Sequence, residues 1–486
     1  VSGDEAGPRL YGNWRPERGW GIGSLSTGVT ITLFLALLAP LLALSTAPIS
    51  ALPLAVASAL VMAGMLVRVG GSTAAEYLTR VTRFRRARAA GWTELSGGLL
   101  TDHPRGADLP GVLAPVVPVE TDDGRGSRQC LLWDRRSGRL SAVLRLSPVG
   151  LDLADPDQTD VWVAGWGSLL ADLGYHRLVT GLTVTIDTAP SGGTTIRQHV
   201  AQSLDRAAPA VARRILDELV AATPATAAEI DARATITVDP HRATPRPTDL
   251  VEACVETVRG LPAIENGLAS SGVAVLGRAD TGYLLGRIRA AFDPTARPWL
   301  STDDELTRWA DAGPVAATER WDSYRHDSGI SVTWGMREAP RQSVAARVLA
   351  PLLAPGQFPR RVTLVYEPYA AEQAAAKVEA EITSGQIRRA WAERTRRDET
   401  QRDRDDRSRA LQSAREEAEG AGVGRFTLYV TTTVTDERDL PAAVADAENR
   451  AGQAKIRLRR LRGTQAAAFA VALGIGVAPT DSTRRR

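Results

Sequence analysis

The sequence predicts a mixed α/β (α+β) chain: an N-terminal two-helix transmembrane hairpin, then two βαββαβ lobes, the second with a long charged helical insertion. Three observations predict it. Residues 25–67 hold two uncharged apolar runs back to back. The rest of the chain alternates segments of period 2 with segments of period 3.6, the signatures of strands and amphipathic helices. Those segments come in the same order twice.

The hairpin comes first. Residues 25–44 (LSTGVTITLFLALLAPLLAL) and 51–67 (ALPLAVASALVMAGMLV) contain no charged side chain. A membrane-spanning helix needs about 20 apolar residues, with a usable range of about 17–25. Neither run has the polar face that a soluble hairpin would show. Residues 45–50 form a polar break, and Pro48 and Pro53 suit a turn and the first turn of a helix. The length, the second run and the lack of a small-residue cleavage pattern argue against a cleaved signal peptide. Arg9, Arg15 and Arg18 precede the hairpin, and Arg68, Arg80, Arg83, Arg85, Arg86 and Arg88 follow it. The turn carries no Lys or Arg. The positive-inside rule then places both termini in the cytoplasm of a multi-pass inner-membrane protein. Trp14 and Trp20 fall where an interfacial aromatic belt would lie. The 1–24 tail, the 25–67 hairpin and a juxtamembrane segment over 68–126 make up the N-terminal part. Within that segment 72–90 reads as a basic amphipathic helix, suited to anionic headgroups, and 96–126 as linker.

The first lobe spans 127–295. Residues 129–134 and 140–147 read as strands, 157–173 as a helix, and 182–188 (LTVTIDT) as a strand. A helical stretch over 195–222 follows, then a strand over 234–238, a helix over 248–259, a strand over 272–276 and a helix over 282–292. A linker is expected over 296–328. The second lobe spans 329–478. Ile330, Val332, Trp334 and Met336 alternate on one strand face, 341–353 is a helix, and 361–367 (RVTLVYE) is a strand. After the insertion come a strand over 426–435, a helix over 440–452, a strand over 456–461 and a helix over 464–473. Without their insertions both lobes reduce to the ferredoxin-like split βαβ order. Details rhyme: an acid near Pro ends the second strand (Asp187/Pro190, Glu367/Pro368), and Asp249-Leu250 and Asp439-Leu440 open the second helix. The insertion, a helical arm over 370–420, is dense in both charges and too poor in apolar residues to bury a broad face. It is either a solvated helix or a docking arm for a partner. A basic tail over 479–486 ends the chain.

Composition narrows the chemistry. A formal net charge of +3 in 486 residues does not mark a nucleic-acid binder. Lys377 and Lys455 are the only lysines, and neither lies in a Gly-x-x-x-x-Gly-Lys-Ser/Thr loop, which excludes P-loop ATP hydrolysis. Cys130 and Cys254 have no CxxC or metal spacing and read as buried thiols in a reducing compartment. There is no His-Glu-x-x-His motif. Gly165-Trp166-Gly167-Ser168 has the wrong spacing for a nucleophile elbow and lies in a predicted helix, where its glycines allow close packing. The histidines are His103, His176, His199, His241 and His326. The densest polar cluster, Trp321-Asp322-Ser323-Tyr324-Arg325-His326-Asp327-Ser328-Gly329, has the residues of an acid–base site but the composition of a turn. Residues 455–462 (KIRLRRLR) read as a strand with a basic outer face, open to contact with DNA or a neighbouring subunit. No catalytic, cofactor-binding or metal-binding residue is assigned, and no cofactor is expected.

Tyr11-Gly12-Asn13-Trp14 with the hairpin resembles the PrgI-type inner-membrane component of conjugative type IV secretion systems. The soluble part resembles the N-terminal domain of the TrbE/TraC/CagE class of conjugation ATPases. The matching stretches are 362–369 (VTLVYEPY), 426–440 (FTLYVTTTVTDERDL) and 461–474 (LRGTQAAAFAVALG). Trp309-Ala310-Asp311-Ala312-Gly313-Pro314 with the 321–329 string is the most specific part of the likeness. The whole resembles an actinobacterial conjugation-associated family in which a PrgI-like hairpin is fused to an ATPase N-terminal domain without the ATPase. That resemblance implies a non-catalytic inner-membrane scaffold of a conjugative, type IV secretion-like system. Its partners would be the membrane, a separate ATPase docked at the cytoplasmic face, other secretion subunits and further copies of itself. The alternative is a membrane component of a type VII (EccE-like) system.

Overall fold

Two compact units divide the chain. One comprises residues 14–94 with 383–398, the other 1–13, 95–382 and 399–486. The structure, a computed structural model, describes residues 11–12, 27–46, 48–69, 72–97, 108–124, 126–148, 150, 154–190, 200, 204–205, 208–222, 228–300, 308–340, 342–370, 373 and 422–479. Apart from positions 370 and 373, the charged arm expected over 370–420 lies outside these residues. So do Trp14, Trp20 and the tail after residue 479.

The smaller unit is built on helices α1 (Thr27–Thr46) and α2 (Pro48–Leu66), which pack on each other. The break expected over 45–50 shrinks. Ser45 turns its hydroxyl back onto Leu42 O (2.9 Å), and Pro48 takes the first position of α2. Two short strands, β1 (Arg68–Val69) and β2 (Ser72–Thr73), reverse the chain into α3 (Ala74–Ala89). A capping box starts α3: Glu76 N donates to Thr73 Oγ1 (3.2 Å), and Thr73 N to the Glu76 carboxylate (3.4 Å). Leu35, Leu41 and Leu42 are 62%, 60% and 63% exposed. Among the described residues no helix is long and apolar enough to cross a membrane. What is seen of the expected transmembrane hairpin is thus a helical hairpin.

The larger unit runs β3 (Glu94–Ser96), β4 (Val116–Asp122), β5 (Arg128–Asp134), β6 (Leu140–Pro148), α4 (Pro156–Tyr175), β7 (Val179–Pro190), α5 (Ala210–Ala222), β8 (Ala228–Val238), α6 (Leu250–Ser270), β9 (Val273–Arg278) and α7 (Thr281–Phe292). It continues with α8 (Trp309–Ala312), β10 (Ala316–Glu319), β11 (Tyr324–His326), β12 (Gly329–Glu338), α9 (Ala350–Leu353), β13 (Arg360–Pro368), β14 (Gly424–Val434), α10 (Leu440–Gln453), β15 (Arg457–Arg460) and α11 (Gln465–Ala472). Its strands form one 13-stranded antiparallel sheet, ordered β3-β10-β11-β12-β14-β13-β7-β8-β6-β5-β4, with β15 on β12 and β9 on β6.

Within this sheet β7-β8-β6-β9 and β13-β14-β12-β15 repeat the same spatial order. The two halves are not separate lobes. Strand β13 pairs with β7 from Arg360↔Thr188 to Tyr366↔Leu182. The pairing satisfies backbone donors and acceptors that two free edges would leave open. Both stretches expected as linkers contribute strands to the sheet. Strand β4 was hidden by Pro118, which is tolerated because β4 is the outermost strand. Strands β10 and β11 lie in the 296–328 stretch, where Ala317 and Tyr324 are buried. The helix expected over 341–353 is reduced to a 3-10 turn (Ala346–Leu349) and α9. Val344 instead exchanges two backbone hydrogen bonds with Tyr11 (2.8 and 2.7 Å). Helix α6 runs past Gly260 and Pro262 because Leu261 between them and Ile264 and Leu268 beyond them are buried. Of the helical stretch expected over 195–222, α5 is described.

Strand alternation gives the sheet two different faces. On one, Leu140, Ala142, Leu144, Leu182, Ala234 and Ile236 pack against α4 and α6. In the other half, Val362, Leu428, Val430 and Trp334 meet α9, α10 and Ile456 on the same face. The opposite face carries Thr185, Thr235, Thr363, Thr333, Thr431 and Ser331, all essentially inaccessible. Helix α11 and the chain after it cover this face. Thr363 Oγ1 donates to Ala472 O (2.7 Å), Arg233 Nη2 to Leu473 O (2.7 Å) and Thr235 Oγ1 to Gly474 O (2.5 Å). The last carbonyls of a helix lack intrahelical partners, and here the sheet supplies them.

Gly474 sits just past α11 at φ +68°, and a Cβ there would run into Thr185 Oγ1. Gly474→Ala adds left-handed strain to overpacking and should destabilise the fold by about 2–4 kcal/mol. Gly452→Ala, in α10 with open space around the added methyl, should be neutral or slightly stabilising. Denaturant unfolding of both variants checks the pair.

Candidate functional site

Alternation places Asp187 on β7, Arg233 on β8 and Arg361 on β13 on the covered face, side by side across the junction of the two halves. Arg361 Nε donates to Asp187 Oδ2 (2.9 Å). Arg297, from the turn after α7, donates through Nη1 to Asp187 Oδ1 (3.1 Å) and through Nε to Glu229 Oε2 (2.9 Å). Arg287 on α7 donates to Glu229 Oε1 (2.7 Å). Arg233 pairs with the Asp231 carboxylate, which also accepts from Tyr283 OH (2.6 Å). Arg145 lies over the Tyr283 ring, its Cζ 5.0 Å from the centroid.

Burial pushes the Asp187 carboxyl up, but Arg361, Arg297 and Arg233 together hold it well below the usual carboxylate range. Glu229 is also lowered: burial opposes ionisation, and Arg297 and Arg287 outweigh it. Burial and the Asp231 charge push the Tyr283 hydroxyl up. A carboxylate held this firmly ionised is a poor general base near neutrality. The arrangement can clamp two halves of a sheet and present charge, and it opens onto a cleft. The cleft, about 140 Å³, lies at the ends of β7, β8, β13 and β14, and Asp187, Glu229, Arg297, Arg360, Arg361 and Thr433 line it.

The 321–329 cluster is strand β11 with the bend before it and the Asp327-Ser328 turn after it. His326 pairs with Gly329 across the β11–β12 hairpin, with Asp327 at φ +35° in the loop. His326 is fully buried, Nδ1 donates to Phe292 O (2.6 Å), and Ser331 Oγ lies 2.7 Å from Nε2. Its ring stacks near Phe469, centroids 4.8 Å apart. Burial pulls its pKa down to about 4. Asp327 Oδ1 accepts from Val315 N and Ala316 N (2.8 and 3.0 Å), and its other oxygen lies 2.8 Å from Arg289. Both ring nitrogens and this carboxylate serve structure.

The remaining candidates are dispersed. Cys130 and Cys254 are buried free thiols; burial raises both, Cys130 to about 11, which suppresses thiolate reactivity. His103 and His199 lie outside the described residues, and His241 Nδ1 accepts from Arg246 (2.9 Å). Among the described residues no group of three or more His, Cys, Asp or Glu could hold a metal ion. Gly165 lies inside α4, where Ser270 O of α6 would come within 2.6 Å of a Cβ. In 455–462, Ile456 is buried, Leu458 packs beside it, and Arg460 Nε donates to Asp322 O (2.9 Å). Sequence reading noted Asp187 only as an acid near a proline and passed over Glu229 and Arg297. The available signal was a carboxylate inside the strand pattern LTVTIDT, opposite the Arg360-Arg361 that opens the next paired strand.

No family model matches the chain, and comparison with curated proteins returns no match.

Asp187→Asn would leave Arg361 and Arg297 buried without their shared counter-charge and should cost about 3–5 kcal/mol in denaturant unfolding. His326 gives a pH signature. Its folded pKa of about 4 lies below the ordinary 6.5, so the unfolded chain binds the extra proton between those values. Stability should therefore fall as pH drops from 6.5 towards 4, with a slope of up to about 1.4 kcal/mol per pH unit from this residue. His326→Gln should flatten that part of the stability–pH curve.

Proposed function

We propose that the protein is a non-catalytic, membrane-anchored scaffold of a conjugative, type IV secretion-like system, docking a separate ATPase on its cytoplasmic side. The observation that carries the reading is the hairpin. Taken over their whole bounds, α1 and α2 contain 20 and 19 residues and no charged side chain. At about 1.5 Å per residue each is close to the thickness of a hydrocarbon core. The side chains described cover a shorter run, starting at residue 31 in α1. Exposed Phe34, Leu38, Leu52, Val56 and Leu60 leave the pair apolar outward as well as inward. Apolar surface of this extent calls for a lipid or protein cover.

Tyr11 supports a shared side for the two flanks. It is bonded to Val344, and its hydroxyl donates to Asp160 (2.5 Å). Tyr11, which precedes the hairpin in sequence, is thus held on residues that follow it, in keeping with both flanks on one side. The repeated strand order supports reading each half of the sheet as ferredoxin-like. The stretches 362–369 and 426–440, which carry much of the resemblance to the conjugation ATPases, fall largely on the paired strands β13 and β14. On α5, Val211, Ile215 and Leu219 form an exposed stripe at helical spacing, an apolar surface for a partner subunit.

Carbonate extraction of membranes containing the full chain should leave it in the pellet, and purification from those membranes should bring down an ATPase subunit. Release into the carbonate supernatant overturns the anchor. ATP hydrolysis by the purified chain alone overturns the non-catalytic role.

A further inference from the structure

The cleft beside Asp187 is short of negative charge. Its wall carries the carboxylates of Asp187 and Glu229 against the guanidiniums of Arg297, Arg360 and Arg361. Both acids are already shared, Asp187 between Arg361 and Arg297, Glu229 between Arg297 and Arg287. Arg361 is 6% exposed, yet its Nη1 has no hydrogen-bond partner among the described residues. Arg360, bonded to Asp446 (3.1 Å) and Ala354 O (2.5 Å), leaves its Nε unpartnered as well. The Phe469 ring, 5.6 Å from Arg361 Cζ, compensates in part. Burial, with Arg233 and Arg297 close by, pulls Arg361 below the ordinary guanidinium value in spite of Asp187. A buried cation this poorly matched is strongly unfavourable unless a counter-ion joins it.

We propose that the cleft takes up a phosphate-type oxyanion, seated on Arg361 and Arg297. Planar guanidinium forks suit the several acceptor oxygens of such a group. Access is available, since the exposed residues Pro190, Pro298 and Thr435 stand at the lining. Thr433, from the other half of the sheet, stands in the same wall, its hydroxyl 2.8 Å from Ser331 Oγ. The cleft of about 140 Å³ is on the scale of a single small group. Because strands from both halves build the wall, the bound anion ties them together where β7 meets β13. This inference is independent of the membrane reading.

The test uses the full chain in detergent, titrated with sodium phosphate against sodium chloride at equal ionic strength, with thermal unfolding and calorimetry as readouts. Saturable stabilisation by phosphate and not by chloride is expected. Thr435→Glu places a carboxylate at the exposed lining without touching the buried ion pairs, and should weaken binding by at least about tenfold, a shift of about 1.4 kcal/mol. Thr435→Val should retain binding. Arg361→Met should abolish it, and Thr435→Glu keeps the test open if Arg361→Met fails to fold. A parallel titration with ribose 5-phosphate separates free phosphate from a phosphomonoester as the preferred source. Equal effects of phosphate and chloride, or unchanged binding by Thr435→Glu, overturn the proposal.

Discussion

The end of α11 holds the larger unit together. Its closing carbonyls need donors, and those donors come from both halves of the sheet: Thr363 from one, Arg233 and Thr235 from the other. Each unmet buried carbonyl would cost about 1–3 kcal/mol, so helix and sheet specify each other. The Thr-rich face can be buried only because this helix end lies on it. Gln465 extends the arrangement to the start of the helix, accepting from Thr333 N (2.8 Å) and donating to Thr333 O (3.1 Å).

The ion network follows from the same burial. With the face closed, Arg233, Arg361 and Asp187 have little water to solvate them and must find partners among themselves and on α7. The Asp187 carboxylate bridges strands from both halves and reaches Arg297 beyond α7. Such networks rarely outperform a well-packed apolar core in stability, but they do fix geometry. Here they fix which residues of β7 and β13 stand opposite each other. A one-residue slip would turn every Thr and Arg of the face towards the apolar helices.

The unit containing the hairpin answers to different physics. Its two long helices lack a polar face, and α3 beyond them carries Arg80, Arg83, Arg85, Arg86 and Arg88 with no buried side chain. In the larger unit polar groups are buried and most of them are paired, whereas in the smaller one apolar groups are exposed.

Local pattern alone determined much of this. Periodicity found α1, α2 and most strands of the sheet, because uncharged runs and strict alternation survive any packing. It also found the repeat, since both halves need the same apolar positions against their helices. The Asp327-Ser328 turn was legible from Asp-Ser-Gly chemistry, though strand β11 just before it was not, and the packing role of Gly165 was legible from its place in a helix. Other features had no local signal. Pro118 disguised an edge strand. The Tyr11–Val344 pairing joins residues far apart in sequence and replaced an expected helical turn. Alternation marked FTLYVTTTVT as a strand with one apolar and one Thr-rich face and said nothing of what covers the second. Only tertiary packing decided that this face is buried, because its donors match a helix end supplied from the far C-terminal part of the chain. The same long-range closure brought Asp187, Glu229, Arg297 and Arg361 to one cleft, a grouping that no spacing in the sequence encodes.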